Sequence, residues 1–343
     1  MILNFLLLLL IFGSYYFAAL SALKSRNWTI FIGCFILFSA FLRQQIDVNL
    51  NSDYYFYYDF KIFHKPSSFL SFLLNEPYLY SVYVFFTLFI DSKKEVFLAM
   101  YWFNFVINSL FFIWLLCRID LEMWKKMLLF VIHYFLFGFV LLRNGPAYML
   151  FAMYLYYTCR DKKFNWVLLT PLMHISSLIV LLTYFHKWRQ YFKILFIIPL
   201  LIVATFILFQ PFLAKIAAFD SILSKIDIYS QGMPVIGFLH ILFFLFISFL
   251  VFMGFIFYKS KMLHPILITT MLFYGVTFFI NPIVAYRFSP YILFALLLFP
   301  FDKLRNEKKI ITFNKLTILL FPLFVYSLFN AHRTESFRNI FLK

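Results

Sequence analysis

Charged residues are scarce in this chain: only 13% of its 343 residues are Asp, Glu, Lys or Arg, whereas 64% are hydrophobic. Soluble domains average about 25% charged and about 45–50% apolar residues. The chain therefore lacks the polar residues that would cover a water-exposed surface. This shortage excludes a soluble globular enzyme, and the abundance of apolar residues excludes a disordered chain.

Glycine and cysteine are also few. The chain has only 8 glycines and no GxGxxG or GxxxxGK[ST] sequence, which excludes a glycine-rich nucleotide loop. The three cysteines, Cys34, Cys117 and Cys159, are odd in number and form no CxxC pair. They predict neither a disulfide framework nor a metal site. No HExxH sequence occurs, and we expect no metal and no cofactor.

Long apolar runs rich in phenylalanine, which numbers 54, fill the rest of the chain. A membrane core about 30 Å thick is crossed by roughly 17–25 apolar residues in a helix. The sequence thus predicts an all-α, polytopic integral membrane protein, a single transmembrane domain over 1–343 with about 10–12 helices, some of them re-entrant or broken. The predicted segments are 3–23, 28–42, 77–90, 95–117, 127–142, 145–159, 166–185, 193–213, 237–257, 264–282, 288–301 and 311–329.

Basic residues exceed acidic ones by 30 to 14, and most of them form short clusters between the apolar runs. This pattern favours the positive-inside arrangement of a bacterial inner-membrane protein over nucleic-acid binding. If the basic cluster 24–26 faces the cytoplasm, simple alternation of the helices places the cluster 93–94 on the cytoplasmic side. The clusters 125–126 and 160–163 then fall on the outer side. We therefore expect half-crossing segments. The best candidate is a hairpin at 164–185, and a second break must precede residue 127.

Two stretches between helices are long enough to face a substrate. The outer loop 43–76 carries four of the 14 acids and a run of tyrosines, and the outer loop 214–236 reads as a short amphipathic piece. Asp53 and Glu76 bracket the aromatic part of the first loop. Glu76 directly precedes Pro77, and burial at that position would raise the carboxyl pKa toward that of a general base. Tyr54 and Tyr57 could stack on sugar rings or belong to an interfacial aromatic belt.

Placing an ionisable side chain within a membrane costs several kcal/mol of free energy. Such residues within the apolar runs are therefore candidates for a functional role. Arg143 adjoins Gly145 and Pro146, where its guanidinium could grip a phosphate or snorkel from a turn. Arg287 is expected in the turn between segments 264–282 and 288–301. His174 lies within 166–185 and is either a packed neutral imidazole or a proton-transfer group.

These positions form an ordered series of short motifs. The series comprises Arg43 with Asp53 and Tyr57, then Glu76-Pro77-Tyr78-Leu79-Tyr80, then Arg143-Asn144-Gly145-Pro146-Ala147, then His174-Ile175-Ser176-Ser177, and lastly Arg287 with Tyr291. In this order they resemble the EpsG family of bacterial polysaccharide polymerases, the Wzy-like enzymes that polymerise O-antigen, capsule or exopolysaccharide repeat units. Asn144 and Ser177 replace the Gln and Ala usual there. Asn51-Ser52-Asp53 replaces Gly-x-Asp, so either Asp47 or Asp53 is the equivalent carboxylate.

The resemblance implies a GT-C-like glycosyltransferase that joins undecaprenyl-diphosphate-linked glycans, donor and acceptor, at the periplasmic face. Glu76, or alternatively Asp53 or His174, would be the base. The remaining implied contacts are the diphosphate with Arg143, Arg287 and Arg43, and the sugars with Tyr54, Tyr57, Tyr80, Ser176 and Tyr291. A chain-length regulator and a flippase are the implied partners. The alternative functions are a flippase of lipid-linked oligosaccharide and, more remotely, a sugar acyltransferase.

Overall fold

The computed structural model describes residues 2–45, 69–74, 77–133, 144–174, 177–184, 238–258, 265–280 and 282–298. Regular structure in these ranges is helical, without strands. The helices are α1 Ile2–Lys24, α2 Trp28–Gln45, α3 Phe69–Leu74, α4 Pro77–Thr87, α5 Lys93–Leu116, α6 Met123–Ile132, α7 Gly145–Thr158, a 3₁₀ turn Asn165–Leu169, α8 Thr170–Met173, α9 Leu178–Tyr184, α10 Phe238–Tyr258, α11 Pro265–Ile280 and α12 Pro282–Leu298.

Two predicted boundaries are wrong. The helix predicted at 28–42 is α2, and it continues through Gln45. Arg43 therefore lies in the last turn of α2 rather than in the loop 43–76. Arg and Gln are good helix formers, and apolar patterning does not register them. The last described helix begins at Pro282 instead of 288, so Arg287 lies inside α12 rather than in a turn. Proline suits the first helical position, where its missing N–H is not needed.

Some predicted segments lie outside the described residues. They are the segments 193–213 and 311–329, the loop 214–236, and all of the loop 43–76 except 43–45 and 69–74. The all-α prediction is confirmed for the part of the chain that the structure describes. Within that part, one helix, α5, is long and apolar enough by length and composition to cross a membrane. The polytopic topology stays a prediction.

The chain divides into two compact units. The first contains α1, α2, α5, α6 and the part of α4 from Ser81 onward, and it extends to Pro146. The second contains α3, the start of α4 through Tyr80, and the chain from Ala147 through α12. Each unit is described by itself.

In the first unit, α6 packs against α1 and α2 through aromatic rings. The ring of Phe130 on α6 stacks on Tyr16 of α1 at 5.2 Å between centroids, and it lies 5.5 Å from Phe35 of α2. Tyr16 also donates a hydrogen bond from its hydroxyl to the Met127 carbonyl at 3.4 Å. Phe130 and Phe35 are fully buried. The core of this unit is thus a Phe-rich seam between helix pairs distant in sequence.

Contacts along α2 and α6 show that these two helices run parallel. Lys126 Nζ lies 5.8 Å from the centre of the Trp28 ring, and His133, two turns further along α6, stacks on Phe35 at 4.8 Å. The short turns that begin α2 and α6 therefore lie at one end of the unit. Because α5 runs toward that end, Lys93 and Lys94 lie at the opposite one.

This arrangement of helices within the first unit differs from the one that simple alternation implies. Clusters 24–26 and 125–126 share one end, and 93–94 lies at the other, whereas alternation gave the reverse for both later clusters. The cause is that α2 ends, and α5 begins, at the same end of the unit. Between them α4 has 11 residues, about 16 Å at 1.5 Å per residue, half a membrane core. The second break expected before residue 127 stays a prediction, and the short α4 is a candidate for it.

In the second unit, residues 165–184 fold back on themselves, as the predicted hairpin at 164–185 requires. The 3₁₀ turn leads into α8, and the chain becomes extended at His174, with φ −154° and ψ 124°, before α9 begins at 178. The Tyr184 hydroxyl donates to Asn165 Oδ1 at 2.8 Å, which joins the two ends of the segment. The Tyr154 hydroxyl of α7 donates to the Thr183 carbonyl at 2.7 Å and joins α9 to that helix.

Candidate functional site

Most of the sequence-predicted site residues have side chains beyond what the structure describes. Arg43 and Arg287 lie in α2 and α12, and nothing is described of their side chains. The predicted residues that lie outside the described residues altogether are Asp53, Tyr54, Tyr57, Glu76, Arg143 and Ser176. His174, Tyr80 and Tyr291 are described, and all three belong to the second unit.

His174 is buried at the point where the hairpin helix breaks, with 7% of its surface exposed. Its backbone N–H donates to the Thr170 carbonyl at 3.0 Å, which closes the short α8. Its carbonyl accepts from both the N–H and the hydroxyl of Ser177, at 2.9 and 2.7 Å. The interruption of the helix therefore leaves the His174 carbonyl satisfied. The imidazole is attached to non-helical backbone within a packed region, which is tolerated when the backbone finds local hydrogen-bond partners.

Tyr80 and Tyr291, both predicted to contact sugars, lie in aromatic surroundings. The half-buried Tyr80 ring meets Phe72 edge-on at 6.0 Å. The Tyr291 ring is buried and meets Tyr148 and Phe151 edge-on at 4.7 and 5.1 Å. Tyr291 also borders a small cavity whose other lining residues are Phe151, Val180, Thr183, Thr269, Thr270, Phe273 and Phe288. The surface that lines this cavity is apolar, although three threonines belong to its wall.

Sequence reasoning missed a group of buried polar side chains in the first unit, hereafter the amide cluster. It comprises Asn104, Asn108 and Ser109 of α5 and His133 at the end of α6. Ser109 Oγ lies 3.5 Å from His133 Nε2, and Asn104 donates from its side-chain amide to the Met100 carbonyl at 3.0 Å. The available signal was the spacing of 104 and 108, which places two amides on one face of an otherwise apolar helix.

The start of α7 packs directly on this cluster. A Cβ on Gly145 would lie 3.2 Å from both Nδ2 and Oδ1 of Asn108, so the amide touches the backbone of the helix N-terminus. Asn144 Oδ1, one residue earlier, is buried and has no hydrogen-bond partner among the described residues. The first N–H groups of a helix lack internal partners and carry the positive end of its dipole.

This geometry favours an anion. Arg143 immediately precedes Asn144 in the sequence. Its positive charge is therefore next in sequence to the helix N-terminus, where the helix dipole is also positive. Helix N-termini with free amides are general binding sites for phosphate and carboxylate groups. Within the described residues, no group of three His, Cys, Asp or Glu side chains could hold a metal ion.

No protein-family model, no curated protein and no solved structure matches the chain. The likeness to the EpsG family therefore rests on the motif series alone.

Proposed function

We propose that this chain is a membrane glycosyltransferase that polymerises undecaprenyl-diphosphate-linked repeat units at the periplasmic face. The observation that carries the proposal is the contact made by the later part of the third motif. Gly145, two residues after Arg143 in the sequence, begins α7 against the buried amide of Asn108. An arginine fork, the amides of a helix N-terminus and neutral side-chain amides together suit the two phosphates of a polyprenyl diphosphate.

The chemistry is a glycosyl transfer with diphosphate as leaving group. The acceptor sugar hydroxyl forms a bond to the anomeric carbon of the donor while the bond from that carbon to the diphosphate oxygen breaks. The hydroxyl proton passes to Glu76, with Asp53 or His174 as the other candidate bases. Arg143 and Arg287 stabilise the charge that develops on the departing undecaprenyl diphosphate.

Membrane placement is supported by the direction of the helices in the first unit. If the basic end, with 24–26 and 125–126, faces the cytoplasm, then α2 ends and α5 begins on the periplasmic side. The chain between them contains Asp53 and Glu76. Both carboxylates then belong to a connection that leaves and re-enters the bundle on the side where lipid-linked repeat units are polymerised.

The test compares chain-length ladders from cells that depend on this protein. Arg143→Ala and Glu76→Ala should remain in the membrane yet abolish long polysaccharide and leave single repeat units on the lipid carrier. Lys163→Ala and Glu95→Ala, which remove the same charges from exposed positions, should give normal ladders. Normal ladders from the first two variants would disprove the site assignment.

A flippase of lipid-linked oligosaccharide is the second candidate function, and one observation favours it. The amide cluster lies well inside the length of α5 rather than at its end, as a polar pathway across a membrane would. Purified protein in vesicles with lipid-linked repeat units separates the two functions. Chain growth without an ion gradient identifies the polymerase, and movement of the repeat units between leaflets without growth identifies the flippase.

A further inference from the structure

Three cations lie over tryptophan rings at one end of the first unit, hereafter the tryptophan end. Arg118 Cζ lies 4.7 Å from the centre of the Trp114 ring, Lys125 Nζ lies 5.6 Å from Trp124, and Lys126 Nζ lies 5.8 Å from Trp28. These are three of the six tryptophans of the chain. Tryptophan prefers the level of the lipid headgroups, where its ring is half in hydrocarbon and its N–H meets polar groups.

The tryptophan end has an excess of positive charge. Lys24, Arg26, Arg118, Lys125 and Lys126 face only two acids, Asp120 and Glu122, in the same two turns. Glu122 is already engaged, because its carboxylate lies 3.4 Å from Lys125 Nζ and accepts from the Trp124 indole N–H at 2.7 Å. The tryptophan end therefore has positive charge that its own acids do not neutralise, and this charge favours binding of an anion from outside the protein.

Lys125 and Lys126 are both buried, each with 5% of its area exposed, but among the described residues Lys126 has no acidic partner of the kind that Glu122 is for Lys125. Burial lowers the pKa of its ammonium, and nearby Arg26 lowers it further, whereas Cys117 and Asp120 act in the opposite sense. Lys126 precedes the predicted membrane segment 127–142. A buried ammonium beside a second cation is stabilised by an anion that approaches from outside the protein.

Arg26 occupies a position where glycine is favoured. Its φ is 58°, in the left-handed region. The Asn27 N–H donates to the Ala22 carbonyl at 2.9 Å and the Arg26 N–H to Leu23 at 3.3 Å, which is the Schellman pattern that ends many helices. An L-residue with a side chain pays a conformational cost there that glycine avoids. The fold alone would select glycine, so an arginine at this position points to use of its charge.

We propose that the tryptophan end is a binding surface for the headgroup phosphates of anionic phospholipids. The tryptophans lie at headgroup depth, and the cations of the two turns bind phosphate diesters between them. Basic groups between helices at the cytoplasmic face commonly hold anionic lipid in this way. The inference rests on the membrane placement proposed above and is independent of glycosyl transfer.

The test is thermal unfolding of the full-length protein in mixed micelles titrated with phosphatidylglycerol, with phosphatidylcholine as the neutral lipid. Phosphatidylglycerol should raise the midpoint temperature of the native protein, and phosphatidylcholine should not. Arg26→Gly removes one charge and relieves the left-handed conformation, so it should unfold at a higher temperature in neutral lipid. Its half-maximal phosphatidylglycerol concentration should nevertheless rise about fivefold, the effect of ~1 kcal/mol per cation at an anionic surface.

Two variants control for charge and for place. Lys94→Gln removes one exposed positive charge at the other end of α5 and should leave the phosphatidylglycerol titration unchanged. Lys126→Arg keeps the charge above Trp28 and should also titrate like the native protein. Sodium phosphate at the concentrations that suffice for the lipid should have no effect.

The results distinguish this inference from the others. Equal shifts for Arg26→Gly and Lys94→Gln, protection by phosphatidylcholine to the same extent, or protection by free phosphate would each overturn it. Release of the protein from membranes by alkaline carbonate would overturn it together with the membrane placement. The expected lipid shifts in a protein that polymerises nothing would support it while disproving the proposed transferase.

Discussion

Replacement of Gly145 by alanine tests the contact that places α7 on the amide cluster. The new Cβ would lie 3.2 Å from both Nδ2 and Oδ1 of Asn108 and 3.6 Å from its Cγ. The amide must therefore retreat by a few tenths of an ångström. Asn108 is only 1% exposed, so it has no solvent to move into, and the shift must displace neighbouring side chains of the packed first unit.

The size of the effect follows from two opposing contributions. Overpacking a buried site costs about 1–3 kcal/mol, and alanine in place of glycine in a helix returns at most ~1 kcal/mol. We expect Gly145→Ala to lower the free energy of unfolding by about 1–2 kcal/mol. Polysaccharide polymerisation should fall more steeply than stability, because Arg143 is only two residues away.

A double-mutant cycle isolates this contact. In the Asn108→Ala background the obstructing amide is gone, so Gly145→Ala should be neutral or stabilising there. The assay is denaturant unfolding of purified protein in lipid nanodiscs, with all four chains measured under the same conditions. The coupling between the two positions should reach about 1–2 kcal/mol. Additive effects within about 0.5 kcal/mol would refute the packing of Asn108 on the start of α7.

Two further predictions concern topology and the hairpin. With the native cysteines replaced by serine, Ser25→Cys and Ser92→Cys should react with a membrane-impermeant maleimide from opposite sides of the membrane, and labelling from the same side would contradict the direction assigned to α5. Tyr154→Phe should lower the free energy of unfolding by about 0.5–1.5 kcal/mol, because it removes the buried hydrogen bond from the Tyr154 hydroxyl to the Thr183 carbonyl. Tyr184→Phe, which loses a bond at an exposed position, should cost less than half as much in the same denaturant assay.

Helix positions followed well from apolar patterning, and the errors have a physical cause. The ends at Gln45 and Pro282 were missed because polar helix formers and a first-turn proline continue a helix without adding apolar character. A break within this part of the chain was expected as a hairpin at 164–185. In the structure Pro171 is the second residue of α8, and the backbone leaves the helix at His174.

The orientation of the first unit could not come from counting charges. Counting treats each apolar run as one crossing, and the 11 residues of α4 are too short for that. The sequence did not reveal the amide cluster for a different reason. The spacing of Asn104 and Asn108 shows two amides on one helix face, but Gly145 is far from both in sequence, so only tertiary structure brings Asn108 and Gly145 together.

The packing of α6 on α1 and α2 also determines when during synthesis the first unit can complete its core. When ribosomal synthesis has completed α2, the Phe31 and Phe35 face has no Phe130 to cover it, because α6 ends only at Ile132. At about 5–20 residues per second, roughly 4–17 seconds pass before that helix has been made. During this interval α1 and α2 form an intermediate whose aromatic face is not yet covered by α6. A ribosome stalled between residues 46 and 122 would prolong that exposure, and the nascent chain should then become a preferred target of quality-control proteases.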